Sequence, residues 1–86
     1  MTKEEIYDIY NEICKIVDGT YLYHDDYLVG SYNWNSDESS LFFTVYGHSD
    51  QGEGAEWEEE WAIDRDGKIY DTRTIHNSLE DFKNNW

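Results

Sequence analysis

Histidine is the side chain best suited to moving protons near neutral pH, and this chain has three: His24, His48 and His76. Each falls at an expected turn or strand end. None stands in an H-x-E or H-E-x-x-H pattern, and a single cysteine, Cys14, leaves no C-x-x-C, so no zinc set can be read from the spacing. Ser and Asp are plentiful, but no serine sits in a nucleophile elbow and no Gly-rich stretch would cradle phosphate. With 20 acidic residues, close carboxylate pairs are unavoidable and therefore carry no information about glycoside chemistry.

Asp64-Arg65-Asp66-Gly67-Lys68-Ile69 matches the middle of a calcium-binding loop. The first and twelfth positions would be Ala62 and Arg73, where such a loop needs acids, and the flanks read as strands. A plain hairpin turn is the simpler reading. We therefore expect no enzyme: no catalytic residue, no metal site and no cofactor.

Charge is the strongest feature. The chain has 86 residues and a net charge of −14, from 20 acids against 6 bases. From Ile16 to Asp64 there is no Lys or Arg. The same span holds Asp18, Asp25, Asp26, Asp37, Glu38, Asp50, Glu53, Glu56, Glu58, Glu59, Glu60 and Asp64. A surface selected only for solubility would intersperse both signs. A nucleic-acid binder would need the opposite sign, so a basic protein surface is the expected partner, with no direct binding of nucleic acid.

The elements that position these residues follow from periodicity and caps. Thr2-Lys3-Glu4-Glu5 reads as a capping box, and Ile6, Ile9, Ile13, Ile16 and Val17 follow helical spacing. A helix over 3–18 results, ended by Asp18 and Gly19. Cys14 then lies beside Ile13 and Val17 as a small core residue, and no internal disulfide forms.

Residues 20–34 are rich in tyrosine and β-branched residues. They predict a short strand over 20–23, a turn at His24-Asp25-Asp26 and a strand over 27–34. Alternation puts Leu28, Tyr32 and Trp34 on one face, opposite Tyr27 and Val29. A third strand covers 41–48, with Leu41, Phe43 and Val45 inward, and residues 49–55 form a loop.

In EGAEWEEEWAI, residues 53–63, alternation sends Trp57, Glu59, Trp61 and Ile63 to one face. Glu56, Glu58, Glu60 and Ala62 take the other. A type I turn with Gly67 in a G1 bulge pairs Ile63 with Ile69, and the continued register places Arg73 against the inward Glu59. A two-residue Asp66-Gly67 turn is the rival register. Asn77 or Ser78 caps a last helix bearing Leu79, Phe82 and Trp86.

The whole is one acidic α+β domain over 1–86: an N-terminal helix, an antiparallel sheet of four to five strands in meander order and a short C-terminal helix. No apolar run is long enough to span a membrane. The opening MTKEEIYDIYNE is too acidic for a signal peptide, so a cytoplasmic location in a bacterial host cell is expected.

Outward glutamates at 56, 58 and 60 would stand about 6.6 Å apart. Phosphates along one DNA strand advance about 3.4 Å in axis per residue on a longer winding path, a spacing of the same order. Lys and Arg groups shaped for phosphate would meet such a row. The residues expected to bind the partner are Asp37, Glu38, Asp50, Glu53, Glu56, Glu58 and Glu60, together with Tyr46. Tyr27, Tyr46 and Tyr70 are candidates for exposed rings among the acids.

In size, acidity and α+β pattern the chain resembles small phage-encoded inhibitors of bacterial defence, of the anti-CRISPR and DNA-mimic type. The resemblance is compositional and carries over no residue roles. It implies a non-enzymatic inhibitor that occupies the nucleic-acid site of a CRISPR effector. EEIYDIYNEI before a tyrosine-rich hairpin also looks like a bacterial immunity protein, which would neutralise a partner toxin such as a nuclease. A monomer or a dimer paired through the strand edge near 20–23 fits either reading.

Overall fold

The structure, a computed structural model, describes residues 1–51 and 55–86. Its first element is helix α1 (Lys3–Val17). The capping box is formed: Glu5 N–H donates to Thr2 Oγ1 at 3.1 Å and Thr2 N–H donates to Glu5 Oε1 at 2.8 Å. Ile6, Ile9, Tyr10, Ile13 and Val17 form the buried stripe. Asp18 ends the helix, its N–H reaching the Cys14 carbonyl, and Gly19 follows at φ 78°, a left-handed conformation glycine adopts without strain.

Six strands follow: β1 (Tyr21–Leu22), β2 (Asp25–Trp34), β3 (Leu41–Ser49), β4 (Glu56–Ile63), β5 (Ile69–Tyr70) and β6 (Ile75–His76). They pair antiparallel in sequence order, and helix α2 (Leu79–Asn85), capped by Ser78, closes the chain. The architecture is the expected α+β meander with one strand more than expected. The extra strand, β6, has only two residues. It exists because Asp71 turns the chain: its carboxylate accepts from the N–H groups of Arg73 and Thr74 at 2.7 and 2.8 Å. Asp71 also pairs with the buried His76 at 2.8 Å, whose ring meets Phe82 edge-on.

Two local expectations are corrected. The turn before β2 lies at Tyr23-His24, not at His24-Asp26, because Leu22 pairs with Asp25. Tyr23 and His24 have φ of 52° and 70°, the two left-handed residues of a tight hairpin whose twist matches its strands. Neither is Gly or Asn, so the usual signal was missing.

The second correction is a β-bulge in β2. Val29 pairs with Val45 and Tyr32 with Phe43, so Gly30 and Ser31 together oppose Thr44. The extra residue reverses the alternation. Tyr27 is buried and Val29 partly so, while Tyr32 and Trp34 come to that same helix-facing side. Leu28 is left alone on the opposite face, 57% exposed.

Between β4 and β5, Ile63 pairs with Ile69 and Gly67 stands at φ 82°, the expected type I turn with G1 bulge. The Asp64 carboxylate accepts from the N–H groups of Asp66 and Lys68 and from the Tyr70 hydroxyl. This acid of the calcium-like stretch thus serves its own turn.

Both helices lie on one side of the sheet. The core there comprises the α1 stripe with Tyr27, Leu41, Phe43, Val45, Trp61, Ile63, Ile69 and Phe82. Trp61 is 1% exposed and meets Phe43, Phe82 and Trp86 at centroid distances of 5.8–6.2 Å. Among the described residues, no helix covers the other side of the sheet.

Strain in the β1–β2 turn yields a testable consequence. Left-handed non-glycine residues cost on the order of 1 kcal/mol each. The double substitution Tyr23→Asn and His24→Gly should raise stability by about 1 kcal/mol and the melting temperature by roughly 4–8 °C, measured by thermal unfolding followed by circular dichroism.

Candidate functional site

The opposite faces of β4 are set by an inward acid. Trp57 and Trp61 are two positions either side of Glu59, so all three share the helix-facing side. Trp57 Nε1 donates to Glu59 Oε2 at 2.7 Å, and Trp61 Nε1 donates to Oε1 at 3.0 Å. The Thr72 hydroxyl donates to Oε1 at 2.9 Å. One carboxylate therefore satisfies both indoles. Burial alone would push the Glu59 carboxyl up, but the hydrogen bonds from Trp61, Trp57 and Thr72 and the charge of Arg73 outweigh it and hold it below the usual range.

The expected partner, Arg73, is thus a neighbour through its field only. The β4–β5 ladder stops at the Ala62–Tyr70 pair, and the Asp71 turn brings Thr72 to Glu59 instead. Trp57 has room because β3 presents Gly47 beneath it: a Cβ there would lie 2.2 Å from the indole. Trp57 consequently lies against the β3 backbone.

With those side chains inward, Glu56, Glu58 and Glu60 point to the open face. Cross-strand pairing arranges their neighbours in rows. Glu56 pairs with His48, which pairs with Asp26, the His48 Nδ1 lying 3.8 Å from Asp26 Oδ2. Glu58 pairs with Tyr46, which pairs with Leu28. Glu60 stands opposite Thr44 at the bulge, and Ala62 pairs with Phe42, which pairs with Asn33. Tyr46 lies over the bulge, 2.7 Å from where a Cβ on Gly30 would be.

Leu28, Phe42 and Tyr46 are 57%, 37% and 43% exposed, a strip of apolar side chains beside the acidic column that Thr44 interrupts between Phe42 and Tyr46. A shallow depression of about 530 Å³ runs over Asp26, Leu28, Tyr46, His48, Glu56 and Glu58. No strand of the sheet carries a Lys or Arg. Among the described residues, Glu56, Glu58 and Glu60 make neither ion pair nor side-chain hydrogen bond.

The eight residues expected to bind a partner do not form one patch. Glu56, Glu58, Glu60 and Tyr46 come together on the open face. Asp50 lies at the end of β3, accepting from the Tyr21 hydroxyl at 2.5 Å and standing 3.6 Å from His24 Nδ1. That hydrogen bond leads the causes that push the Tyr21 hydroxyl up to about 12.

Asp37 and Glu38 are in the turn at the other end of β3. The Asp37 carboxylate accepts from Ser39, which lowers its pKa, and Glu38 is ion-paired with Lys3. Glu53 falls outside the described residues. Of the tyrosines expected to be exposed, Tyr46 is; Tyr27 is buried at 6%, and Tyr70 is half-buried with its hydroxyl on Asp64.

Sequence reasoning missed Asp26, Leu28, Phe42 and His48 as members of this face. Phe42 and His48 were readable from the alternation of β3. Leu28 was hidden by the bulge, which parts it from Tyr32 and Trp34, and Asp26 by the misplaced turn, which left it outside the strand.

Among the described residues no three His, Cys, Asp or Glu side chains converge as metal ligands. No helix among the described residues is long and apolar enough to cross a membrane. Among the described residues the fold is a two-layer α+β domain with one sheet face covered by the helices and one open. Comparison with protein-family models, with curated proteins and with solved structures gave no match.

Glu59→Gln would set an amide N–H₂ against an indole N–H and leave one donor unsatisfied. It should destabilise the fold by about 1–3 kcal/mol. The sign with pH follows from the depressed carboxyl: its contribution is present above the unfolded value, near 4.5, and is lost as pH falls through the lower folded value. The difference between wild type and Glu59→Gln in urea unfolding should thus be full at pH 7 and shrink below about pH 4.

Proposed function

We propose that this protein is a non-enzymatic inhibitor that docks the open face of its sheet on a basic, nucleic-acid-binding surface of a target protein. The observation that carries this reading is the uncovered face itself. Three outward glutamates stand in register beside an exposed apolar strip, on a sheet without a single Lys or Arg.

Like charges so placed repel one another and oppose folding. Their arrangement is accounted for if they meet cations on a partner. Arginine would pair bidentately with the glutamates, while Leu28, Phe42 and Tyr46 supply the apolar contact that holds a protein rather than an ion cloud. The −14 charge disfavours a second copy of this chain as the occupant.

The target class that fits is a CRISPR effector in the cytoplasm of a bacterial host, its nucleic-acid site filled by the acidic face. The same apolar strip suits the tight, lasting contact of an immunity protein on a nuclease toxin, which is the second reading.

The test is charge reversal on the row combined with competition. Glu56→Lys, Glu58→Lys and Glu60→Lys together should weaken capture of a nucleic-acid-binding protein from bacterial lysate by roughly 100-fold or more, with the circular dichroism spectrum unchanged. Excess duplex DNA and rising salt should both release the wild-type complex. Capture that survives the triple reversal, or that persists in saturating DNA, would sink the proposal.

A further inference from the structure

A second concave surface lies on the helix side of the domain, between α1 and the end of β2. It measures about 440 Å³ and is formed by Lys3, Glu4, Tyr7, Asp8, Tyr32 and Trp34. Lys3, Glu4, Tyr7 and Asp8 lie within one and a half turns of α1, so the spacing puts them on one face. The bulge in β2 supplies the other wall, since it turns Tyr32 and Trp34 to this side.

The aromatic wall is anchored in the core. Tyr7 and Tyr32 rings are 5.5 Å apart, Tyr32 meets Tyr10 at 5.0 Å, and Tyr10 meets the buried Phe43 at 5.1 Å. Tyr10 is fixed further by donating its hydroxyl to the Gly30 carbonyl at 3.0 Å. The rings facing the groove are therefore held in place before any ligand arrives.

A cation already uses this surface. The Lys3 ammonium stands 5.0 Å from the Trp34 ring centroid, and it is also ion-paired with Glu38. Aromatic faces attract cations through their quadrupole, and tryptophan does so best. Glu4 and Asp8 are exposed at the groove and, among the described residues, carry no cationic partner of their own.

We propose that this groove is a receptor site for an arginine side chain of a protein partner, with the protein's own Lys3 as the resident competitor. A planar guanidinium stacks on aromatic rings and still offers its edge to carboxylates, which an ammonium does less well. The stack would form on Trp34 and Tyr32, and the edge would meet Glu4 or Asp8. The site is separate from the open sheet face and stands or falls without it.

The experiment is an NMR titration with the blocked peptide acetyl-Gly-Arg-Gly-amide and its citrulline counterpart, which keeps the planar shape and lacks the charge. The arginine peptide should shift the Trp34 indole and the Tyr7 and Tyr32 rings saturably, and the citrulline peptide should not. Lys3→Ala should tighten arginine binding roughly threefold or more by removing the competitor. Lys68→Ala removes the same charge at an exposed site in the β4–β5 turn and should leave it unchanged. Shifts that fail to saturate, that affect Tyr46 on the open face equally, or that respond alike to Lys3→Ala and Lys68→Ala would overturn the proposal.

Discussion

The carboxylate of Glu59, held between the indole N–H groups of Trp57 and Trp61, governs the rest of the sheet. Two tryptophans packed on the helix side bring two donors that must find acceptors, since a buried unpaired donor costs about 1–3 kcal/mol. An acid midway between them serves both. A strand alternates with a period of two, so fixing residues 57, 59 and 61 inward sends 56, 58 and 60 outward. The acidic row on the surface is thus the geometric complement of the tryptophan clamp. Gly47 completes the arrangement by leaving room for Trp57 against β3.

The two layers divide the sheet's chemistry between its faces. Both helices cover one face, where aromatic rings from α1, β2, β3, β4 and α2 meet one another. The other face keeps its glutamates, Asp26, His48 and three exposed apolar side chains. Repulsion along that face is a standing cost to folding, set against a core that includes Trp61 and Phe82 almost free of solvent contact. The bulge in β2 serves both sides at once: it leaves Leu28 on the open face and delivers Tyr32 and Trp34 to the groove beside α1.

Local signals were legible where one short segment contains all the partners. Thr2 and Glu5 cap each other within one turn, and the Ile63–Ile69 register follows from Asp64 and Gly67 within the same hairpin. Other features left weak traces or none. The β1–β2 turn uses Tyr23 and His24 where Asn-Gly would announce it. The bulge at Gly30-Ser31 shows only once β3 is laid alongside. Strand β6 is too short to carry a pattern. The inward Glu59 needs a partner and the continued register points to Arg73; Trp57, Trp61 and Thr72 take that place because the Asp71 turn cuts the ladder short.

By itself the sequence determined the capping box of α1, the meander order and which β4 residues face each way, since each depends on a repeat or turn read within a few residues. Only the tertiary structure decided which residues share a surface. It joined Glu58 to Tyr46 and Leu28, brought Thr72 rather than Arg73 to Glu59, and set Lys3 on Trp34 across thirty-one positions of chain. Those adjacencies depend on long-range register, and a single added residue in one strand resets every neighbour beyond it.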